Sequence, residues 1–188
     1  MSTPYRIFVS YCHADESYKD DLLKHMGARQ GMHPQPALQG LVEVWTDRGM
    51  LPSASLRKEI DEAIASTDIF LLLVSADWFA SDFIHNVEMK AALERHAAGL
   101  SMAVPIIVRP CSWLGTDLAS IMAVPRDGKP ISTWRDKDEA WCDVVRGIRA
   151  LVEGLPPKLA SRSPAPTPRE RETDEIDRRF PEPFSKLG

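Results

Sequence analysis

Hydrophobic positions along the chain fall into short solid blocks, separated by longer stretches in which they recur every three or four residues. The blocks are 5–11 (YRIFVSY), 41–46 (LVEVWT), 68–75 (DIFLLLVS), 102–108 (MAVPIIV) and a weaker one at 130–134. Most are near-continuous in β-branched, aliphatic or aromatic residues, as strands covered on both faces are. Four helical patterns lie among them. Residues 15–27 put Tyr18, Leu22, Leu23 and Met26 on one stripe, with Asp15 as N-cap. Residues 55–66 do the same with Leu56, Ile60, Ala63 and Ile64, capped by Ser55. A third helix begins at Ser81 or Asp82 and stops at Gly99; a fourth spans 138–153 with Trp141, Val144, Val145, Ile148, Leu151 and Val152 on its apolar face. Strand–helix alternation at this spacing predicts a doubly wound α/β domain of five parallel strands with right-handed crossovers.

The pattern ends at Gly154. Beyond it come Pro156, Pro157, Pro164, Pro166, Pro168, Pro181 and Pro183, mixed with small and charged residues. Such a segment buries too little apolar surface to offset its ordering entropy. The expected organisation is one domain over 1–154 and a flexible tail or linker over 155–188. The charged run RERETDEIDRR at 169–179 is close to neutral and reads as solvated.

Composition narrows the function classes. With 44% hydrophobic and 27% charged residues, the chain can build a core without disulfide or metal staples. A net charge of −4 gives no electrostatic footprint for nucleic acid. Three widely spaced cysteines, Cys12, Cys111 and Cys142, form no CxxC pair, and the five histidines form no HxxxH pair, so no metal site is expected. No signal-peptide pattern opens the chain, and its longest apolar run, IFLLLV, is too short to cross a bilayer. A cytoplasmic protein without membrane contact is expected.

In open parallel sheets, ligands bind beyond the carboxyl ends of the strands, where strand order reverses. The residues placed there are Ser10, Tyr11, Cys12 and His13; Asp47, Arg48 and Gly49; Ser75, Asp77 and Trp78; and Arg109, Pro110 and Cys111. No GxGxxG or GxxxxGK[ST] follows any strand, which argues against dinucleotide-binding dehydrogenases and P-loop enzymes. The acidic cluster of a phosphoacceptor domain is replaced by Ser-Tyr-Cys at the end of the first strand. Tyr11 and Trp78 stand where a ring can stack on a base, while Trp45 reads as core. Asp47 and Arg48 suit a ribose or phosphate, although Asp-Arg-Gly is also ordinary turn chemistry. Cys12 and Cys111 have no base nearby in sequence and read as buried apolar residues, and Arg109-Pro110-Cys111 reads as structural.

The segments IFVSYCHADE (7–16), VWTDRGMLPSASLRKEIDEAI (44–64), DIFLLLVSADWFASDFIHNVEMKAALERH (68–96) and VPIIVRPCSW (104–113) together resemble the bacterial Toll/interleukin-1 receptor (TIR) domain, NAD-cleaving type. The resemblance implies a flavodoxin-like sheet in the order 2-1-3-4-5. It also makes residues 47–55 a loop that covers the pocket and joins domains to one another. It implies cleavage of NAD at the nicotinamide–ribose bond, with NAD as substrate and no cofactor. The products would be nicotinamide and ADP-ribose or a cyclic isomer.

By this resemblance the catalytic carboxylate falls on Glu88. Many active relatives carry a tryptophan four residues earlier, where this chain has Ile84, with Phe83 beside it as the alternative aromatic wall. One carboxylate suffices because nicotinamide leaves without a general acid, and a negative charge stabilises the ribosyl oxocarbenium ion. The residue pattern alone also allows Glu88 to be an exposed member of a charged helix. The family further implies self-association, a sensor domain or partner protein, and a role in prokaryotic, anti-phage immunity. Some relatives only assemble, so a non-enzymatic TIR–TIR interaction module is the alternative.

Overall fold

The computed structural model describes residues 3–28, 35–46, 54–82 and 84–155. Four of the expected blocks become parallel strands: β1 (Tyr5–Ser10), β3 (Val42–Thr46), β4 (Ile69–Val74) and β5 (Met102–Ile107). A short strand β2 (Gln35–Ala37) pairs antiparallel with β3, and the sheet order is β2-β3-β1-β4-β5. The four parallel strands thus follow the expected order. β4 lies between β1 and β5, and all six of its residues are buried, which is why its sequence is apolar throughout.

The expected fifth parallel strand is corrected. Ile131–Thr133 forms a 3₁₀ turn instead, closed by Thr133 N–H to Pro130 at 2.9 Å and Trp134 N–H to Ile131 at 3.1 Å. Ile131 is buried, so the block is apolar because it plugs the core, not because it is extended. Among the described residues, the outer edge of β5 is met by a bridge from Val124 to Ile106. Ile107 N–H donates outward to Val124. Pro105, two residues earlier, faces the same way, so its missing N–H breaks no bond to β4.

Helices cover both faces. α1 (Glu16–Met26) and α5 (Lys137–Gly154) pack Leu22, Leu23, Met26, Trp141, Val144, Ile148 and Val152 against Ile7, Val9, Ile69, Leu71 and Leu73. α2 (Ala54–Ser66), α3 (Ala76–Ala80) and α4 (Lys90–Ala97) lie opposite, where Ile60, Ile64, Trp78 and Ala92 meet Phe8, Phe70, Leu72 and Val74. Each strand feeds alternate side chains to the two layers. α2 starts at Ala54, so Ser55 lies inside the helix rather than capping it. Asp136 caps α5, accepting from Asp138 N–H at 2.9 Å and Glu139 N–H at 3.4 Å. No helix among the described residues is long and apolar enough to cross a membrane. Residues 47–53 and 156–188 lie outside the described residues, and with them most of the expected covering loop and nearly all of the expected tail.

Candidate active site

The carboxyl ends of β1, β4 and β5 are tied by one polar network. Asp15, at the start of α1, is fully buried and accepts from Cys12 Sγ at 3.0 Å, Ser75 Oγ at 2.5 Å and Arg109 Nε at 2.7 Å. Arg109 also donates through Nη2 to Asp77 and, at 3.4 Å, to Ser75 Oγ. Ser75 Oγ in turn accepts the Trp78 N–H at 3.0 Å and caps α3, while Trp78 Nε1 donates to Ser10 Oγ at 3.0 Å. A buried carboxylate requires such compensation. Hydrogen bonds to Asp15, then to Asp77, push the Arg109 guanidinium further up. Asp15 stands at the expected N-cap position but makes no side-chain cap; its carboxylate is used across the sheet instead. Reading Arg109 as structural agrees with this arrangement, although its partners are invisible in local sequence.

Glu88 lies in a π-helical turn, Ile84–Met89, between α3 and α4 and against β1. π turns are rare and often found at functional sites. Ile84, Glu88 and Ala92 recur every four residues and are 4%, 3% and 0% exposed. Glu88 therefore sits on the core-facing stripe, not on the charged face where Lys90 and Glu94 pair at 3.9 Å. The exposed-helix alternative is overturned by that burial. Met89, the next residue, lines a cleft of about 270 Å³ with Phe79, Leu93 and residues 115–118; Glu88 is not among its lining residues.

Two of the expected ligand-facing rings are buried. Trp78 is 0% exposed, with its indole N–H used by Ser10, and its ring belongs to the core on the α2 side. Tyr11 is 5% exposed and packs into the opposite layer, with Lys19 Nζ 5.1 Å from its ring centroid. Both were placed at strand ends by their sequence positions, yet apolar contact holds both rings inside. Trp45 stacks on Phe8 at 5.0 Å, as a core-packed ring should. Ile84 is likewise core and presents no aromatic wall. His13 is exposed. Burial, then the bond to Asp15, pushes the Cys12 thiol up to about 11, and burial raises Cys111 as well, so neither is an activated nucleophile. Asp47, Arg48 and Phe83 lie outside the described residues.

Comparison with known proteins places this geometry in a family. A relative in Sinorhizobium fredii, the uncharacterized protein y4lF, is 41% identical over 159 residues, covering 85% of this chain and 47% of the relative. The chain thus spans about half the length of the curated relative it matches. The RPS4 and RRS1 TIR domain heterodimer shares the fold, with a TM-score of 0.50 at 10% identity over 78% of this chain and 96% of that one. The TIR domain of the Toll-related receptor TRR-2 from Hydra magnipapillata aligns with a TM-score of 0.45 at 18% identity, covering 76% and 97%. A CMP N-glycosidase of Clostridium botulinum, BcmB, aligns with a TM-score of 0.44 at 14% identity, covering 77% and 98%. The TIR domain family model matches residues 7–141, and the chain belongs to the TIR domain family.

Proposed function

We propose that this TIR domain cleaves NAD at the nicotinamide–ribose bond, with Glu88 as the catalytic carboxylate. The observation that carries the reading is the burial of Glu88, at 3% exposure, on the core-facing stripe of a π turn. A glutamate is rarely buried for packing alone. The described residues bury one other carboxylate, Asp15, which Cys12, Ser75 and Arg109 hold across the sheet.

In the reaction the C1′–N bond breaks and its electron pair stays on nicotinamide, which leaves neutral. The ribose passes through an oxocarbenium ion that the Glu88 carboxylate stabilises. Water then adds to C1′ and loses a proton to give ADP-ribose; attack by the adenine ring instead gives a cyclic isomer. Asp47 and Arg48 are proposed to bind the ribose or phosphates. Phe83, beside Ile84 in sequence, is proposed as the aromatic wall. The natural setting is proposed to be prokaryotic immunity, with activation by TIR–TIR contacts that include the 47–55 loop and by a sensor domain or partner protein.

A second reading, a non-enzymatic interaction module, draws support from Ile84, whose core position supplies no ring to a substrate. Incubating the purified chain with NAD across a wide dilution series, and resolving nicotinamide from every ADP-ribose product, separates the two. Nicotinamide release that climbs faster than protein concentration is expected. A chain that assembles into stable particles yet releases no nicotinamide would establish the interaction module.

A further inference from the structure

The segment that carries Glu88 is built from elements that cannot hold themselves in place. α3 has five residues, far below the length at which a helix is stable alone, and the π turn after it has poor intrinsic geometry. Their position must come from tertiary anchors. Two are visible at the start of α3: the Ser75 hydroxyl that caps it, and the fully buried Trp78 ring. Trp78 belongs to the same core cluster as Ile84 and Ala92, the residues that flank Glu88 on its buried stripe.

Ser75 leads back to one arginine, and Trp78 joins it through its backbone N–H while its indole N–H goes to Ser10. Ser75 Oγ gives its proton to Asp15 Oδ2, which leaves its lone pairs for the Trp78 N–H. Asp15 Oδ1 is held by Arg109 Nε, from 94 residues away in sequence. The planar guanidinium fixes the angle between these contacts as well as their charge, reaching Asp15, Ser75 and Asp77 from one rigid fork. Of its two acidic partners, Asp15 is 0% exposed and Asp77 52%, so the buried contact carries the constraint.

We propose that Arg109 is a positioning residue for Glu88. Through Asp15 and Ser75 it sets the N-terminus of α3, and through Trp78 it holds the π turn in the register that buries the carboxylate. The inference rests on the reading of Glu88 as the catalytic group.

The test uses the full chain with Arg109→Lys and Arg109→Ala, measuring nicotinamide release and amide hydrogen exchange together. Lysine keeps a positive charge for Asp15 but cannot reproduce the fork, so Arg109→Lys remains informative should the alanine variant fail to fold. In Arg109→Lys, exchange from Ala76 to Ala80 and from Ile84 to Met89 is expected to quicken about tenfold, while α5 changes less than about twofold. Its kcat is expected to fall about tenfold or more with KM within about twofold, the signature of a displaced catalytic group with binding retained. Arg109→Ala, where folded, should exceed it in both. Unchanged exchange and kcat in Arg109→Lys would overturn the inference while leaving Glu88 intact. Equal acceleration in α5 would overturn it too, as general loosening. A parent chain inert toward NAD would instead remove the reading of Glu88, and this inference with it.

Discussion

Replacing Glu88 with Gln removes one charge while keeping the side chain's length and volume, one acceptor oxygen giving way to an NH2 donor. At 3% exposure the carboxylate sits where the surroundings screen weakly. With an effective dielectric near 20, a unit charge about 4 Å from a developing cation is worth about 4 kcal/mol. Spread over the rate of the chemical step, that is about a thousandfold. Glu88→Gln should therefore release nicotinamide about a thousandfold more slowly than the parent. Its melting temperature should stay within about 4 °C, the shift that about 1 kcal/mol produces in a domain of this size. Alanine is the poorer probe, since a buried truncation leaves a cavity and mixes packing loss with loss of charge.

Glu94→Gln supplies the control. Glu94 lies on α4 with its side chain 67% exposed, facing Lys90, and its charge is screened by water. It should leave the rate unchanged within about twofold, because water and salt screen exposed charges. The assay is chromatographic separation of nicotinamide and ADP-ribose products from matched protein concentrations, with thermal unfolding recorded on the same samples. A Glu88→Gln variant that turned over NAD within about twofold of the parent would refute the argument. So would a large loss of rate accompanied by an equally large loss of stability, which would make Glu88 a core residue and nothing more.

The remaining predictions concern the thiols and the core. Alkylation near neutral pH should reach exposed Cys142 first, Cys111 more slowly and Cys12 last, as mass spectrometry of partly labelled protein will read. The Cys12 thiol is raised from 9.0 to about 11 in the fold, so the folded state holds its proton more tightly than the unfolded chain. The stability this gives is complete below pH 9 and is lost as pH rises through about 11; the urea midpoint should drop over that window more in the parent than in Cys12→Ala. Trp141 is fully buried, with the Tyr18 and His25 rings 6.5 and 6.2 Å away, so Trp141→Ala should cost about 3–5 kcal/mol. Its indole N–H has no hydrogen-bond partner among the described residues, so Trp141→Phe should cost well under half of that in the same denaturation assay.

What was legible in the sequence was what is local and periodic. The block 68–75 reads as a central strand because both faces of β4 are covered, and the α5 stripe reads as a helix because all six residues named for its apolar face belong to or pack against one layer of core. The block 130–134 misled for a related reason. Burial of Ile131 makes it look like strand, and composition cannot tell a plug from a ladder. β2 is three residues long and contains Pro36, too short to show any period. Asp15 carried the right signal for an N-cap, an acid just before a helical stripe, but Arg109 and Ser75 outcompete the helix end for its oxygens. Both partners are far away in sequence. Tyr11 follows β1 directly and Trp78 lies within α3, yet whether a ring there turns outward or inward depends on the layers packed above it. Glu88 was reached by resemblance alone, since its charged neighbours hide a buried position.

The local weakness around Glu88 bears on how such a residue works at all. A carboxylate at 3% exposure meets a ribose only after some part of its cover shifts. The cost of a shift depends on what must be broken. Moving β4 would break two ladders of parallel strand pairing, and moving α5 would strip Trp141, Val144 and Ile148 from the core. The five-residue α3 and the π turn offer far less resistance, since few of their own hydrogen bonds hold them. Among the described residues, the contacts from Trp78 through Ser75 to Asp15 and Arg109, and from the Trp78 indole to Ser10, tie them to the sheet. An arrangement of this kind lets the Glu88 segment yield without loosening the sheet beneath it, and returns it to one position each time. Loosening it tests that reasoning directly. Ser81→Ala removes the Oγ that accepts the Ile84 N–H at 3.5 Å where the π turn begins, so it should leave the sheet intact and quicken amide exchange from Ile84 to Met89, whereas unchanged exchange there would mean that the cover opens elsewhere.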